Sequence, residues 1–322
     1  MGTRRQAIAA LAALAVPCAS RAQSKTYRVG VLGPERASDA HQKLRLELVR
    51  AGLRDLGYAE GRNLVIDARF AEGNYGRLPA LADELVALKV DVIVALGSKA
   101  AEAAHRATLT VPIVVASGGD AIGLGLSSNL ARPSSNVTGW FNVAPEVSTK
   151  LIQLVKEAAP HVTRVAYLVN PANPPTHLSA MQAAAASLKV GFNVFEAREP
   201  GDLDAVFARI VAARWDAVVV QGDTMFGVNV KSVTDLALRH RLASASTLRN
   251  FAEAGGLLDY GPDRLEGYRR APAFVDKLLK GAKPADLPME QPTRFDLVIN
   301  VATAKALGLA IPQSLAVQAR LI

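Results

Sequence analysis

Thiols are almost missing from this sequence: Cys18 is the single cysteine in 322 residues. It falls inside an N-terminal segment that reads as removable, so the mature chain is expected to contain none. That excludes disulfide staples, thiol nucleophiles and cysteine-ligated metals, and it leaves burial of apolar surface to hold the fold. Aromatic residues are scarce as well, at 5%. The basic residues are scattered, with no block beyond pairs such as Arg269-Arg270. A nucleic-acid reader needs a concentrated basic face, stacking aromatics or a reader motif, and none is present. Beyond the N-terminus no uninterrupted apolar stretch reaches the roughly 18 residues of a membrane span.

Catalytic signatures are lacking too. Gly30 to Gly33 does not have the full G-x-G-x-x-G spacing, and Gly123 to Gly125 does not lie directly between a clear strand and a helix. No phosphate-loop lysine follows a Gly-rich run, and no G-x-S-x-G nucleophile elbow occurs. His41, His105, His161, His177 and His240 are dispersed and form no compact ligand pattern, so each reads as a helix-surface or interface residue. The expectation is a protein without catalytic residues, metal or cofactor. An exported hydrolase using strand-end Ser and Asp residues is the enzymatic alternative.

What the sequence does contain begins with an export signal. Arg4 and Arg5 precede the apolar run Ala7 to Pro17, and Ser20-Arg21-Ala22 supplies small residues where a signal peptidase would cut before Gln23. Residues 1–22 are therefore expected to be removed, and the protein to work in the periplasm. Thr3 to Ile8 also looks like a twin-arginine signal, but no Phe stands two places after the second arginine, which favours the general secretory route. Pro17 stands before Cys18 where a lipoprotein signal wants Gly or Ala, so no lipid anchor is expected. Loss of Arg4, Arg5 and Arg21 lowers the formal charge from +8 to +5, modest for this length.

From Tyr27 onward, short apolar runs alternate with helical patterns. Tyr27–Leu32, Asp91–Leu96 and Val111–Ala116 read as strands that end in Gly or small residues. Leu44–Leu56, Leu78–Leu88 and Ala100–Ala107 read as helices. The rhythm restarts at Val147–Ala159, with strands at Val162–Val169 and Ala217–Gln221, and Ser127 to Asn142 reads as the loop between the two runs. Continuous rather than alternating apolar strands, separated by helices, indicate parallel sheets covered on both faces. Two Rossmann-like α/β lobes are expected.

Ligands of such sheets gather at the carboxyl ends of strands, where helix N-termini offer amides. Those ends present Gly33, Pro34 and Glu35, then Gly97 and Ser98, then Ser117, Gly118, Gly119 and Asp120. In the second run they present Asn170 to Pro174 and Gln221-Gly222-Asp223. The set suits a zwitterion: Ser98 and nearby amides for a carboxylate, and Asp223, Asp120 or Glu35 for an ammonium. Taken singly, Ser98 and Ser117 could equally cap helices, and the glycines could serve only turns. Phe226 and Tyr260 are candidates to flank a ligand side chain, and Trp140 and Phe141 to do so or to wedge the hinge.

The segments Tyr27–Gly33, Gly52–Leu64, Leu130–Gly139, Ala254–Pro262, Gly281–Pro288, Phe295–Asn300 and Ala304–Pro312 together resemble the tryptophan/tyrosine-type family of ABC transporter substrate-binding proteins. The resemblance implies a periplasmic binding protein type I fold with a ligand cleft between lobes and three crossings. Lobe one would comprise residues 26–140 plus 251–289, with Tyr260 in it, and lobe two 141–250 plus 290–322. It also implies that the ligand segments are Gly33 to Glu35, Gly97-Ser98, Ser117 to Asp120, Asn170 and Gln221 to Asp223. The expected ligand is a small solute, an aromatic or other hydrophobic amino acid. The expected partner is the membrane permease of an ABC importer, and the expected state is a monomer that closes on its solute. A sensory binding protein would share fold and ligand. Asp120-Ala121 and Asp223-Thr224 both lack the proline common at those turns in the family. A DNA-binding regulator of this fold is disfavoured, because Ser24 to Tyr27 leads straight into the first strand without a reading headpiece.

Overall fold

A computed structural model describes residues 25–141, 145–248, 250–263 and 265–322. The expected signal peptide, residues 1–22, lies outside the described residues. The first lobe runs β1 (Tyr27–Gly33), α1 (Ala40–Asp55), β2 (Leu64–Phe70), α2 (Leu78–Ala87), β3 (Val92–Ala95), α3 (Ser98–Ala107), β4 (Ile113–Gly118) and β5 (Val137–Phe141). Its strands form an all-parallel sheet in the order β2-β1-β3-β4-β5. Parallel order needs a crossover between neighbours, and the helices supply it on both faces. Alternate residues of one strand therefore enter different cores. Val92 and Val94 of β3 pack with Leu46, Val49 and Leu53 of α1, whereas Ile93 and Ala95 pack with α2 and α3.

The second lobe continues with α4 (Pro145–Ala158), β6 (Arg164–Val169), α5 (Leu178–Ser187), β7 (Gly191–Glu196), α6 (Leu203–Ala212), β8 (Ala217–Val220), α7 (Thr224–Val228), α8 (Val230–Arg239), β9 (Ala243–Ser246) and β10 (Leu258–Gly261). The chain then returns to the first lobe as α9 (Glu266–Leu279). It ends in the second with β11 (Asp296–Ile299), α10 (Val301–Leu307), α11 (Gln313–Ala316) and β12 (Ala319–Leu321). The second sheet has the order β12-β11-β10-β9-β8-β6-β7, and only the β10–β11 pair is antiparallel. Two cores flank it in the same manner. Val165, Tyr167 and Val169 face α4 and α5, and Ala166 and Leu168 face α6 and α8. No helix among the described residues is long and apolar enough to cross a membrane.

The structure corrects the sequence reading in two places. Residues 251–261, expected in lobe one, belong to lobe two: Phe251 and Leu257 pack in its cores, Leu258 and Asp259 pair with Ala245 and Ser246 of β9, and Tyr260 pairs with Leu297 of β11. Leu257 and Leu258 are fully buried in the second core, so the return to lobe one comes only after Gly261. The second correction concerns the segment read as a loop before the first crossing, which contains β5. That edge strand is buried at every residue because the Pro-rich segment near Leu287–Glu290 lies along it. Thr138 Oγ1 donates to the Leu287 carbonyl at 2.7 Å, and Phe141 N and Glu290 N bond across the same seam. The cover removes an edge that would otherwise offer unpaired amides.

Helix α9 completes the first lobe. Gly267 lets its first turn lie against β4, since a Cβ there would fall 1.8 Å from the Ala116 carbonyl oxygen. This close seat sets Tyr268 beside Arg45 of α1, with the guanidinium 5.5 Å from the ring centre.

Candidate ligand-binding site

The carboxyl ends of the two sheets face each other across a cavity of about 330 Å³, within the size range of small-molecule sites. Lobe one contributes Glu35, Arg45, Tyr75, Gly97, Ser98 and Ser117 to its wall. Lobe two contributes Asn173, Gly222, Asp223 and Thr247, and Tyr268 closes one side. A second arm of about 80 Å³ adjoins it, and Ser98, Gly119, Asn173, Gly222 and Thr247 line both.

On the lobe-one side, β3 leads through Leu96 into Gly97, whose φ of 137° is a conformation that side chains rarely adopt. Helix α3 starts there with no side-chain cap. The Ser98 hydroxyl does not cap it. Its oxygen accepts the Gly119 amide at 2.8 Å and ties the ends of β3 and β4 together, which leaves the hydroxyl proton to donate. The first amides of α3, the positive end of its dipole, therefore form part of this wall.

Glu35 is 4% exposed and forms an ion pair with Arg45 through one carboxylate oxygen. Its other oxygen is buried with no hydrogen-bond partner. Burial works against the charge on Arg45, but Tyr268 and Glu35 outweigh it and raise its pKa, so Arg45 stays protonated. Glu35 is thus a carboxylate held in place by Arg45 with one oxygen left unpartnered.

Asp223 at the end of β8 is the opposite case. Its Oδ1 accepts from Asn170 Nδ2 at 3.0 Å and from Met225 N at 2.8 Å, and its Oδ2 accepts from Tyr75 Oη at 3.0 Å and from Asn173 Nδ2 at 2.9 Å. It caps α7 and is saturated. The Tyr75 bond joins one lobe to the other. Burial, then Asp223, pushes the Tyr75 phenol well above its ordinary pKa, so Tyr75 remains a donor. Gln221 is likewise occupied: its Oε1 accepts Asn170 N at 2.9 Å and its Nε2 donates to the Asn173 carbonyl at 2.7 Å.

Of the residues expected from sequence, Glu35, Gly97, Ser98, Ser117, Gly118 and Asp223 line the cavity, and Asp120 and Gln221 line the adjoining arm. Four do not reach it. Gly33 lies inside β1, against Phe70 and Gln42. Asn170 is buried beneath the wall and acts through Asp223. Phe226 is fully buried in the core that α6 and α8 build on lobe two, because the turn capped by Asp223 points it inward. Tyr260 stacks on Phe295, with centroids 6.0 Å apart, and packs on the other core of lobe two. Trp140 and Phe141 are core residues of β5.

Sequence reasoning missed Arg45, Tyr75, Tyr268 and His177. Tyr75 comes five residues after the carboxyl end of β2, beyond the residues that a strand-end pattern marks. His177 ends the loop after β6, and its isolated place in the sequence marks it only as a helix-surface or interface residue. Arg45 and Tyr268 sit on helices, where no strand-end signal marks them.

Comparison with known proteins agrees with this architecture. The family model described as ABC transporter substrate binding protein matches residues 39–322. A tyrosine-binding protein from Clostridioides difficile (strain R20291) is 23% identical over 259 residues, covering 80% of this chain and 74% of the relative. The crystal structure of a conserved domain protein from Vibrio cholerae superposes with a TM-score of 0.82 at 25% identity, covering 92% of this chain and 99% of that one. An ABC domain from Streptococcus pneumonia in complex with L-Trp gives a TM-score of 0.82 at 24% identity, with the same coverage. The paired parallel lobes have the type I periplasmic binding fold. With a family match that spans most of its length, this chain belongs to the ABC transporter substrate-binding protein family.

Proposed function

We propose that this protein is the extracytoplasmic solute-binding component of an ABC importer and that it binds an amino acid with an aromatic or other hydrophobic side chain. The observation that carries this reading is the pairing of two unlike poles in one inter-lobe cavity. Glu35 turns an unpartnered carboxylate oxygen toward an ammonium, and the uncapped start of α3 with the Ser98 hydroxyl suits a carboxylate. A zwitterion matches both, and fully paired charges are what a buried site rewards. The tyrosine-binding relative and the L-Trp complex support an aromatic ligand.

The mechanism is closure without chemistry. Solute settles on the lobe-one poles, lobe two closes over it, and the shifted population of closed molecules is the form a permease recognises. A hydrolase would need the Ser98 hydroxyl to donate to a base, and no such bond from it is present among the described residues. On this reading the mature protein, without residues 1–22, acts as a monomer in the periplasm.

A thermal-shift screen of residues 23–322 against the amino acids, followed by calorimetry, tests the proposal. An aromatic or hydrophobic amino acid should bind one to one and be recovered unchanged. At about 100 times its Kd it should stabilise the fold by about 2.7 kcal/mol. Absence of any amino-acid shift, or turnover of the ligand, overturns it.

A further inference from the structure

The smaller arm of the cleft is built by both lobes. Its apolar wall is Leu124 from lobe one and Leu151, Tyr167, Met181 and Val220 from lobe two. The lobes touch beside it: a Cβ on Gly123 would lie 2.8 Å from Thr176 Cβ and 2.4 Å from Asp120 Oδ2. Only glycine allows that approach, so the arm is shaped by contact between the two loops.

The polar side chains on this wall include Asp120, Gln221 and His177. Asp120 uses Oδ1 on the amides of Ile122 and Gly123, at 3.1 and 3.0 Å, and both ends of Gln221 are taken. His177 differs. Both of its ring nitrogens are buried, and neither has a hydrogen-bond partner among the described residues. Burial lowers its pKa, with Asp120 opposing, so the ring is neutral at ordinary pH and holds one N–H donor and one bare acceptor. Buried polar groups are almost always paired, so an unused donor and acceptor on the wall of a cleft point to a partner that arrives with the ligand.

We propose that His177 determines specificity by reading the far end of the ligand side chain. It would select amino acids whose apolar side chain ends in an uncharged hydroxyl or N–H over those that are hydrocarbon throughout. The main cavity holds the zwitterionic head and the body of the side chain, and the 80 Å³ arm admits its tip. The carboxylate of Asp120 on the same wall disfavours an anionic tip. This inference rests on the amino-acid reading of the cleft and adds the element that discriminates within that class. Apolar walls alone separate such pairs weakly, whereas a built hydrogen-bond partner rejects the analogue that lacks the group.

Tyrosine and phenylalanine form the test pair, titrated by calorimetry into residues 23–322 of the wild type and of His177→Leu and His177→Gln. The wild type should prefer tyrosine by roughly tenfold or more. His177→Leu should bring the ratio to about one while phenylalanine affinity stays within a few-fold, and His177→Gln, which keeps a donor and an acceptor, should restore part of the preference. Equal binding of the two by the wild type, or an unchanged ratio in His177→Leu, overturns the inference and leaves the amino-acid site standing; water then satisfies the ring. If no amino acid binds the wild type, both readings fall together. The wild-type ratio decides the matter even if a variant does not fold.

Discussion

The two lobes present the same kind of surface to the cleft, strand ends with small and acidic residues, yet they use it differently. On lobe one valences are open: Glu35 keeps an oxygen without a partner, and α3 begins uncapped. On the lobe-two wall of the main cavity they are closed: Asp223, Asn170, Gln221 and Asn173 satisfy one another and a cap, and Asp223 takes a fourth donor from across the cleft, so that among the described residues lobe two keeps buried open valences only at His177 in the smaller arm. Both carboxylates are nearly inaccessible, so exposure alone does not tell them apart. Counting hydrogen bonds does. On the proposed reading lobe one receives the head of the ligand and lobe two supplies the face that closes on it, with Tyr75–Asp223 as the direct clasp. Rigid polar groups on both sides lower the ordering cost of binding.

The comparison is broken most directly by exchanging each carboxylate for its amide. Glu35→Gln should cause the larger loss of ligand affinity, about 30-fold or more by calorimetry. Truncating one partner of a buried charge pair costs about 2–5 kcal/mol, and each 1.4 kcal/mol is a factor of ten. Asp223→Asn should act on the fold instead. An amide that brings its own N–H groups to donors that expect an oxygen leaves buried groups unpaired, at about 1–3 kcal/mol of stability. Denaturant unfolding should register that loss, while affinity in the variant that still folds changes less than in Glu35→Gln. The reverse pattern, with Asp223→Asn losing ligand and Glu35→Gln losing stability, would dissolve the distinction between the lobes.

Much of the architecture is legible from local chemistry. Val92–Ala95 is an apolar run closed by Gly97, and it forms a central strand because a strand buried on both faces has no polar side to show. Other strands carry no such mark. Ala243–Ser246 is buried throughout with only small side chains, because Ser244 and Ser246 spend their hydroxyl groups on backbone partners at Leu257, Val220 and Leu248. β10 looks like any short apolar strand, and only pairing with β9 and β11 decides its lobe. The site divides along the same line. Strand-end order places Ser98, Glu35 and Asp223 at the cleft, but no sequence pattern states that Asp223 is saturated by Asn173, Asn170 and Tyr75, 50, 53 and 148 positions away, or that Arg45 and Tyr268 meet from two helices. Long-range satisfaction decides which polar residues remain available, and it is invisible in a linear reading.

Removing the clasp alone should give a smaller effect. Tyr75→Phe keeps the ring and deletes one hydrogen bond to a charged oxygen, worth about 1.5–3 kcal/mol at most and less where water can replace it. The bond joins the lobes and is not within either. The variant should therefore keep its unfolding midpoint within about 1 kcal/mol of stability, expand in the ligand-free state by small-angle scattering, and lose only several-fold in affinity. An unchanged scattering profile would show that Tyr75 merely packs, and that the closed face of lobe two needs no partner from lobe one.

The smallest effect expected is one of pH, and it comes from the junction of the lobes. His177 has a lowered pKa in the folded protein, so the unfolded chain takes up its proton first as pH falls. Above the ordinary histidine value near 6.5 both states are neutral and the group contributes no slope. Below it the unfolded state binds more protons, and stability falls until the folded pKa is reached. Asp120 faces the ring and opposes the shift, which keeps the window narrow. Denaturant unfolding between pH 7.5 and pH 5 should therefore show a shallow acid-side loss that His177→Gln removes. The same acid step gives the bound ring a second N–H and takes away its acceptor, so tyrosine affinity should fall over that window more than phenylalanine affinity. If both ligands weaken in parallel, the titrating group is at the zwitterion poles of lobe one and the contrast between the two arms of the cleft loses its pH signature.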